Sequence, residues 1–470
     1  MTHFDLAIIG TGSGNTILDE RYTDMSVAIC EHNIFGGTCL NVGCIPTKMF
    51  VYAAEIAESA NDSERFGVDA RVDGVQWPDI VSRIFGRIDP LSLGGENYRR
   101  SMPNVTVYDR HTRFGPSRDA RHTLRVDAGD EFTADKVVIA AGSRVVVPGA
   151  IAGCGVPYYT SDTIMRIPAL PTRLVIVGGG YVATEFAHIF SSLGSHVSLV
   201  IRGSTLLRGH DDTIMMRFTD IAAKKWEIHD HRQIVDARQD GDEVVLTSDD
   251  GSTIRGDALL VATGRAPNGD LLDAELAGVD VDSHGRVLVD EYQRTTARGI
   301  YALGDVSSAY QLKHVANHEA RVVRHNLLCD WDDTDSLVAS DHRYVPSAVF
   351  TDPQIASVGL TENQARAQGY TIKVKVQDYS DVAYGWAMED TTGIAKIIVD
   401  DDTGLILGAH LMGHQASSLI QPIVQAMSFG LPAQDMARGQ YWIHPALPEV
   451  IENALLALCG EPPWPSSRAH

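Results

Sequence analysis

Apolar residues come in short runs along this chain, and several of these runs lead into glycine or another small residue. Phe4-Asp5-Leu6-Ala7-Ile8-Ile9 leads into Gly10-Thr11-Gly12-Ser13-Gly14-Asn15, and Leu174-Val175-Ile176-Val177 leads into Gly178-Gly179-Gly180-Tyr181-Val182-Ala183. Short apolar runs that end at glycine read as strands leading into tight turns. After the second glycine turn the apolar positions change period. Phe186, Ile189, Phe190 and Leu193 share one helical face, Gly194 stops the helix, and Val197 to Ile201 starts a new strand. The first glycine turn predicts the same order of strand, tight turn and helix start, followed by a strand at Val27-Ala28-Ile29-Cys30.

Three further strand ends share this form: Val137 to Ala140 before Gly142, Leu259 to Ala262 before Gly264, and Gly299 to Leu303 before Gly304-Asp305. Singly they are ordinary structure. Their order predicts one nucleotide-binding unit interrupted by a second, with the first resuming near residue 270.

The glycine turns let the backbone bend sharply and approach a pyrophosphate with no Cβ in the way, while helix amides attract its charge. Glu31, at the end of the second strand, could hold the hydroxyls of a ribose. The third fingerprint position of the first turn is Asn15 where glycine is usual. In the second unit the strand ends at Arg202, and Arg208 follows. Two cations in place of a carboxylate suit the extra 2′-phosphate of NADPH, against the plainer reading of two solvated surface arginines.

At 470 residues the chain exceeds what one core usually serves, and its 44% hydrophobic content suits ordinary soluble packing. Its 61 acidic and 39 basic side chains leave a net charge of −22, which disfavours nucleic acid and anionic lipid as partners. No signal segment or membrane-length apolar run is apparent, so a cytoplasmic enzyme is expected. The cysteines at 30, 154, 329 and 459 are isolated and read as small buried hydrophobes. A segment rich in proline, Glu461 to Pro465, reads as a disordered extension.

Cys39 and Cys44 are the remaining pair, within Gly36-Gly37-Thr38-Cys39-Leu40-Asn41-Val42-Gly43-Cys44-Ile45-Pro46-Thr47-Lys48. A bridge closing so small a loop would stabilise the fold by only about 2 kcal/mol, which makes a structural staple a poor explanation. Five residues along a regular helix separate Cα atoms by about 8 to 9 Å, beyond the roughly 7 Å a disulfide spans, so the backbone must distort. A strained bridge is the more easily reduced one. Pro46 fits a first helical turn and Lys48 to Glu58 has helical composition, placing Cys44 near a helix N-terminus with Lys48 four residues on. A zinc site, lacking further clustered ligands, and a pair of inert buried thiols are the competing readings. Near the C-terminus His444 and Glu449 could form a base and its orienting carboxylate.

At these residues the chain resembles the pyridine nucleotide-disulfide oxidoreductases of the glutathione reductase and dihydrolipoamide dehydrogenase type, over nearly its whole length. GGTCLNVGCIPTK from Gly36 and HPALPE from His444 carry the resemblance. Within the family, IDPLSLGGENYRR from Ile88, LKHVANHEAR from Leu312 and ARGQYWIHPALPEV from Ala437 look most like the branch that reduces mycothione, the disulfide of mycothiol.

The resemblance implies an α/β chain with two Rossmann-like dinucleotide-binding domains, for FAD and NADPH, and a C-terminal α+β dimerisation domain. The expected division is 1–145 for FAD, 146–268 for NADPH, 269–336 as a central segment completing the FAD domain, and 337–470 as the interface domain. Gly10, Gly12, Gly14, Glu31, Thr38, Lys48, Gly142, Asp305 and Ala316 would then hold FAD. Gly178, Gly180, Tyr181, Arg202, Arg208 and Gly264 would hold NADPH. Cys44 would face the flavin, Cys39 would attack the substrate, and Lys48 would pair with Glu185. His444, oriented by Glu449, would reach the thiols of the other subunit of a homodimer. An NAD-linked dihydrolipoamide dehydrogenase is the alternative within the family, and a non-catalytic flavoprotein subunit the remote one.

Overall fold

The computed structural model describes residues 1–118, 121–127 and 129–459, so the segment from Glu461 to Pro465 lies outside the described residues. Strand β1 (Thr2–Ile9) is central to the first sheet because both its faces are covered: Leu6, Ala7 and Ile8 have almost no exposure. It lies parallel between β2 (Val27–Cys30) and Glu131–Ile139, with Ile8 opposite Ile29 on one side and Val138 on the other. Val105–Tyr108 extends the sheet beyond β2, and two antiparallel strands from 112 to 126 pair onto the first half of 131–139. Far along the chain, Ile300–Ala302 returns as a further parallel strand on Val137–Ile139.

A second parallel sheet runs in the order 227–229, 196–200, 173–177, 258–261, flanked by an antiparallel trio between 234 and 256. The chain enters and leaves this region side by side, since Ser143–Val145 pairs antiparallel with Arg265–Pro267. The last part is a five-stranded antiparallel sheet, 347–349, 355–359, 406–412, 394–400 and 372–378, packed against C-terminal helices that include Glu449–Cys459.

Three helices position the thiol segment: α1 (Gly37–Asn41), α2 (Cys44–Asn61) and α3 (Trp77–Ser101). The second glycine turn opens directly into α4 (Tyr181–Ser192), capped at Leu193 and turned away by Gly194 at φ 112°. Phe50 of α2, Trp77 of α3 and Phe190 of α4 stack at centroid distances of 5.1 and 5.3 Å, so the thiol helix and the second nucleotide unit share one core.

The first glycine turn departs from the sequence expectation. No α-helix follows it; the connection to β2 holds two 3₁₀ turns, Gly14–Thr16 and Glu20–Tyr22. The two turns do not join into one helix because Asp19 between them is extended (φ −130°, ψ −168°), its side chain accepting the Arg21 amide. Ile17 and Tyr22 are buried in the core with Leu18 and Met25 packed against it, and the Tyr22 hydroxyl donates to the Arg324 carbonyl at 2.5 Å. The isolated cysteines also differ from expectation: Cys30 is buried, but Cys154 and Cys329 are partly exposed in loops and Cys459 is partly exposed at the end of its helix.

Candidate active site

Cys39 lies in α1 and Cys44 is the first residue of α2. Between them the helical path breaks at Val42 (φ −142°, ψ 14°) and Gly43 (φ −132°, ψ −123°), which supplies the distortion that a continuous helix would forbid. Gly43 has no room for a side chain, because a Cβ there would lie 2.9 Å from the Thr38 carbonyl oxygen and 3.3 Å from Cys39 Cα. The two thiols are unbridged and hydrogen-bonded to each other.

Lys48, one turn into α2, donates to both carboxylate oxygens of Glu185 at 2.9 and 2.7 Å. Glu185, almost fully buried in α4, also accepts the Phe350 amide at 3.0 Å, and the Lys48 ammonium stands 4.7 Å from the Phe350 ring centroid. Three regions of the chain therefore meet beside Cys44. The hydrogen bond with Cys39 is the largest influence lowering the Cys44 thiol, to about 7, and the Lys48 charge adds to it against the opposing effect of burial. The same hydrogen bond, with burial, pushes the Cys39 thiol up.

Both glycine turns fit a dinucleotide. Gly10, at φ 102°, and Gly178, at φ 138°, each approach a neighbouring carbonyl so closely that a Cβ would lie 2.2 Å from Ala140 O or Ala262 O. Gly37 of α1 stacks on Gly12, where a Cβ would meet Gly12 Cα at 2.6 Å. Among the described residues, the amides of Gly12 and Ser13 donate to no protein acceptor. Glu31 anchors the turn, accepting the Thr11 amide at 3.0 Å and its hydroxyl at 2.6 Å through one oxygen. Its other oxygen takes the Asn33 amide at 2.9 Å.

Gly14 sits over Ala140, and Asn15, the departure from the fingerprint, has a structural task. Its Oδ1 and carbonyl oxygen accept the buried Arg99 guanidinium at 2.8 and 2.6 Å, so Arg99 serves a carbonyl that a continuing helix would have paired.

The other strand ends converge on this side. Asp305 accepts the Ser143 hydroxyl at 2.8 Å through Oδ2, leaving Oδ1 without a protein partner among the described residues. Gly142 and Gly264 take positive φ with open space where a Cβ would be, and Ala316 is buried against Gly304. Thr38, whose carbonyl caps α1, is exposed. In the second unit Gly180 caps α4 at its start. The Tyr181 phenol lies in the field of Arg265, Asp305, Glu185 and Cys44, so the second turn reaches toward the thiols. Arg202 and Arg208 are both exposed, and neither has a hydrogen-bonded or ion-paired partner among the described residues. Two unneutralised guanidiniums at the end of the 196–200 strand fit a phosphate better than a bare ribose.

His444 Nδ1 is 2.6 Å from Glu449 Oε1, and the Ala446 amide donates to Glu449 Oε2 at 3.1 Å. Burial pushes the Glu449 carboxyl up, but these two bonds outweigh it and hold it below its ordinary value. The His444 side chain is 70% exposed beside the fully exposed Tyr441. Among the described residues no hydrogen bond or ion pair joins it to the thiol segment of its own chain. Sequence reasoning does not reach Gly43, Arg99, Phe350 or Lys313, whose charge acts on Cys39.

Residues 4–320 match the family model of the pyridine nucleotide-disulphide oxidoreductases, and residues 345–455 match that family's dimerisation domain. Mycothione reductases from two strains of Mycobacterium tuberculosis are 68% identical over 97% of this chain and 100% of their own length. Glutathione reductase from Burkholderia cepacia is 34% identical over 95% of this chain and 97% of its own. Among solved structures, the HOCl-induced flavoprotein disulfide reductase RclA from Escherichia coli superposes with a TM-score of 0.84. It is 29% identical and covers 97% of this chain and 100% of its own. With the thiol pair, two dinucleotide turns fitting FAD and NADPH, and these likenesses together, the chain belongs to the pyridine nucleotide-disulphide oxidoreductase family.

Proposed function

We propose that this chain reduces mycothione to mycothiol with NADPH, as a homodimer in the cytoplasm. The observation that carries the redox reading is the break at Val42–Gly43, which sets Cys39 and Cys44 in mutual contact beside the Lys48–Glu185 pair. The substrate rests on the likeness to proteins named mycothione reductase across nearly the whole chain. FAD would be held by the Gly10 turn, Glu31, Thr38, Lys48 and the Gly142, Asp305 and Ala316 region; NADPH by the Gly178 turn, Gly180, Tyr181, Arg202, Arg208 and Gly264. When bound, this pair supplies two electrons that open the Cys39–Cys44 disulfide. The pairing of Ser143–Val145 with Arg265–Pro267 supports boundaries at about 145 and 268, and the return of Ile300–Ala302 to the first sheet supports 269–336 as the segment completing the FAD domain.

The residues then act in sequence. His444 of the partner subunit takes the Cys39 proton on Nε2, and the Cys39 thiolate attacks one sulfur of the substrate disulfide, making a mixed disulfide and expelling the first thiol as its thiolate. His444 of the partner subunit, protonated on Nε2 while Nδ1–H donates to Glu449, gives that thiolate a proton. Cys44, the more acidic thiol, attacks the Cys39 sulfur, releases the second thiol and restores the Cys39–Cys44 bond. One substrate disulfide and two protein thiols become two substrate thiols and one protein disulfide.

Turnover of mycothiol, glutathione and lipoamide disulfides with NADPH and with NADH tests the reading. Preference for mycothione with NADPH is expected, and efficient use of lipoamide with NADH alone would overturn it. Mixing a Cys39→Ser, Cys44→Ser chain with a His444→Ala chain tests the shared site. Hybrid dimers should regain turnover that neither parent has, and a mixture as inactive as its parents would refute a histidine acting across the interface.

A further inference from the structure

The first glycine turn has lost the element that ordinarily neutralises a diphosphate. An α-helix starting there would present about half a positive charge at its N-terminus, but only the three-residue turn Gly14–Thr16 follows. Arg99 does not fill the gap, because its guanidinium is committed to Asn15. Lys313 is differently placed. It is the first residue of α5 (Lys313–Asn326), and its ammonium donates to Ser13 Oγ at 2.8 Å. The Ser13 hydroxyl in turn donates to Asn317 Oδ1 at 3.0 Å, one helical turn further along α5.

This relay fixes the protons at the Ser13 hydroxyl. The Ser13 hydroxyl proton is spent on Asn317, so that side chain has none to offer an anion. Lys313 keeps two N–H groups with no acceptor, and it has no carboxylate partner among the described residues, in a chain with 61 acidic residues. It is only partly exposed, so its charge is weakly screened.

We propose that Lys313 is the cation that holds the diphosphate of FAD at the first glycine turn, replacing the absent helix dipole, with Ser13 and Asn317 fixing its position. This rests on the assignment of FAD to that turn. It makes α5, nearly three hundred residues downstream in sequence, part of the phosphate site.

The test uses holoenzyme carrying Lys313→Gln, which can still hydrogen-bond Ser13 but has no charge, beside Lys313→Met and Lys313→Arg. Flavin release after dilution is followed by the rise of free-flavin fluorescence at low and high potassium chloride, with far-UV circular dichroism as the check on folding. Loss of one charge-assisted contact should speed release in Lys313→Gln roughly ten- to a hundredfold at low salt, flatten its salt dependence, and spare Lys313→Arg. Release from folded Lys313→Gln at the wild-type rate would overturn the proposal. So would unchanged release combined with a shifted pH profile for alkylation of the reduced thiols, since that assigns Lys313 to Cys39. If Lys313→Gln and Lys313→Met fail to fold, wild-type release that is indifferent to salt overturns it equally. Wild-type protein that retained no flavin would instead refute the cofactor assignment.

Discussion

Replacing Cys39 by alanine removes the hydrogen bond that contributes most to lowering the Cys44 thiol to about 7, and leaves Cys44 as the lone thiol of the site. At pH 7 the native thiol is about half ionised, whereas a thiol at its ordinary value of 9.0 is ionised to about 1%, roughly a fiftyfold loss of reactive species. A more basic thiolate is intrinsically more nucleophilic. With a Brønsted slope of about 0.4 to 0.5, that recovers roughly eightfold and leaves a net fall of about sixfold. Lys48 remains in the variant and retains part of the shift, so alkylation of Cys44 by iodoacetamide at pH 7 should slow by about three- to sixfold. Above pH 9 the order should invert, because both thiols are then ionised and the more basic one reacts faster. Cys39→Ser, which retains a hydroxyl donor, should fall between the two. Coincident pH–rate profiles for Cys44 in wild type and Cys39→Ala would refute the hydrogen bond as the cause and leave Lys48 and the α2 terminus to explain the acidity.

Glu449→Gln keeps the shape of the His444 partner but not its charge, and should lower kcat about a hundredfold while flavin content stays normal; a pH–rate profile matching wild type would contradict the role given to this pair. Arg202→Ala with Arg208→Ala should raise KM for NADPH roughly ten- to a hundredfold and leave KM for NADH unchanged in steady-state assay. His188, buried in α4 and lowered to about 4 by burial, is neutral in the fold but binds a proton at its ordinary value of 6.5 when unfolded. Its contribution of about 3 kcal/mol is therefore fully present above pH 6.5 and lost as pH falls toward 4. Denaturant midpoints at pH 7.5 and 5 should differ less in His188→Gln than in wild type.

Strands and glycine turns were legible because their chemistry is local: a buried parallel strand must be apolar throughout, and a backbone that passes a carbonyl as closely as Gly10 or Gly178 does must be glycine. The thiol segment was legible for the same reason, down to the need for a distorted path between Cys39 and Cys44. Partners drawn from distant segments were not. Nothing near Asn15 announces that Arg99, on another helix, will take its carbonyl, and nothing near Ser13 announces Lys313. The missing helix after the first turn rests on Asp19, whose side chain takes the Arg21 amide and breaks the path, a competition that the fingerprint motif does not reveal. Gly43 did carry a signal, a glycine between two helical stretches, but its necessity comes from Thr38 and Cys39 packing against it.

The ribbon formed by Ser143–Val145 and Arg265–Pro267 gives the second nucleotide unit one doorway for both entry and exit. Arg265 reinforces it by donating to the Ser143 hydroxyl at 2.8 Å and carbonyl at 2.7 Å, and that same hydroxyl is bonded to Asp305. A unit hung on one doorway behaves as a cassette. It can be exchanged with that of a relative without rethreading the rest of the chain, provided the ribbon and the α4 contacts to the thiol helix are kept. Preference for one nicotinamide nucleotide over another can therefore be rewritten with the unit, so long as the incoming one returns a carboxylate to Lys48 and an aromatic ring to Trp77.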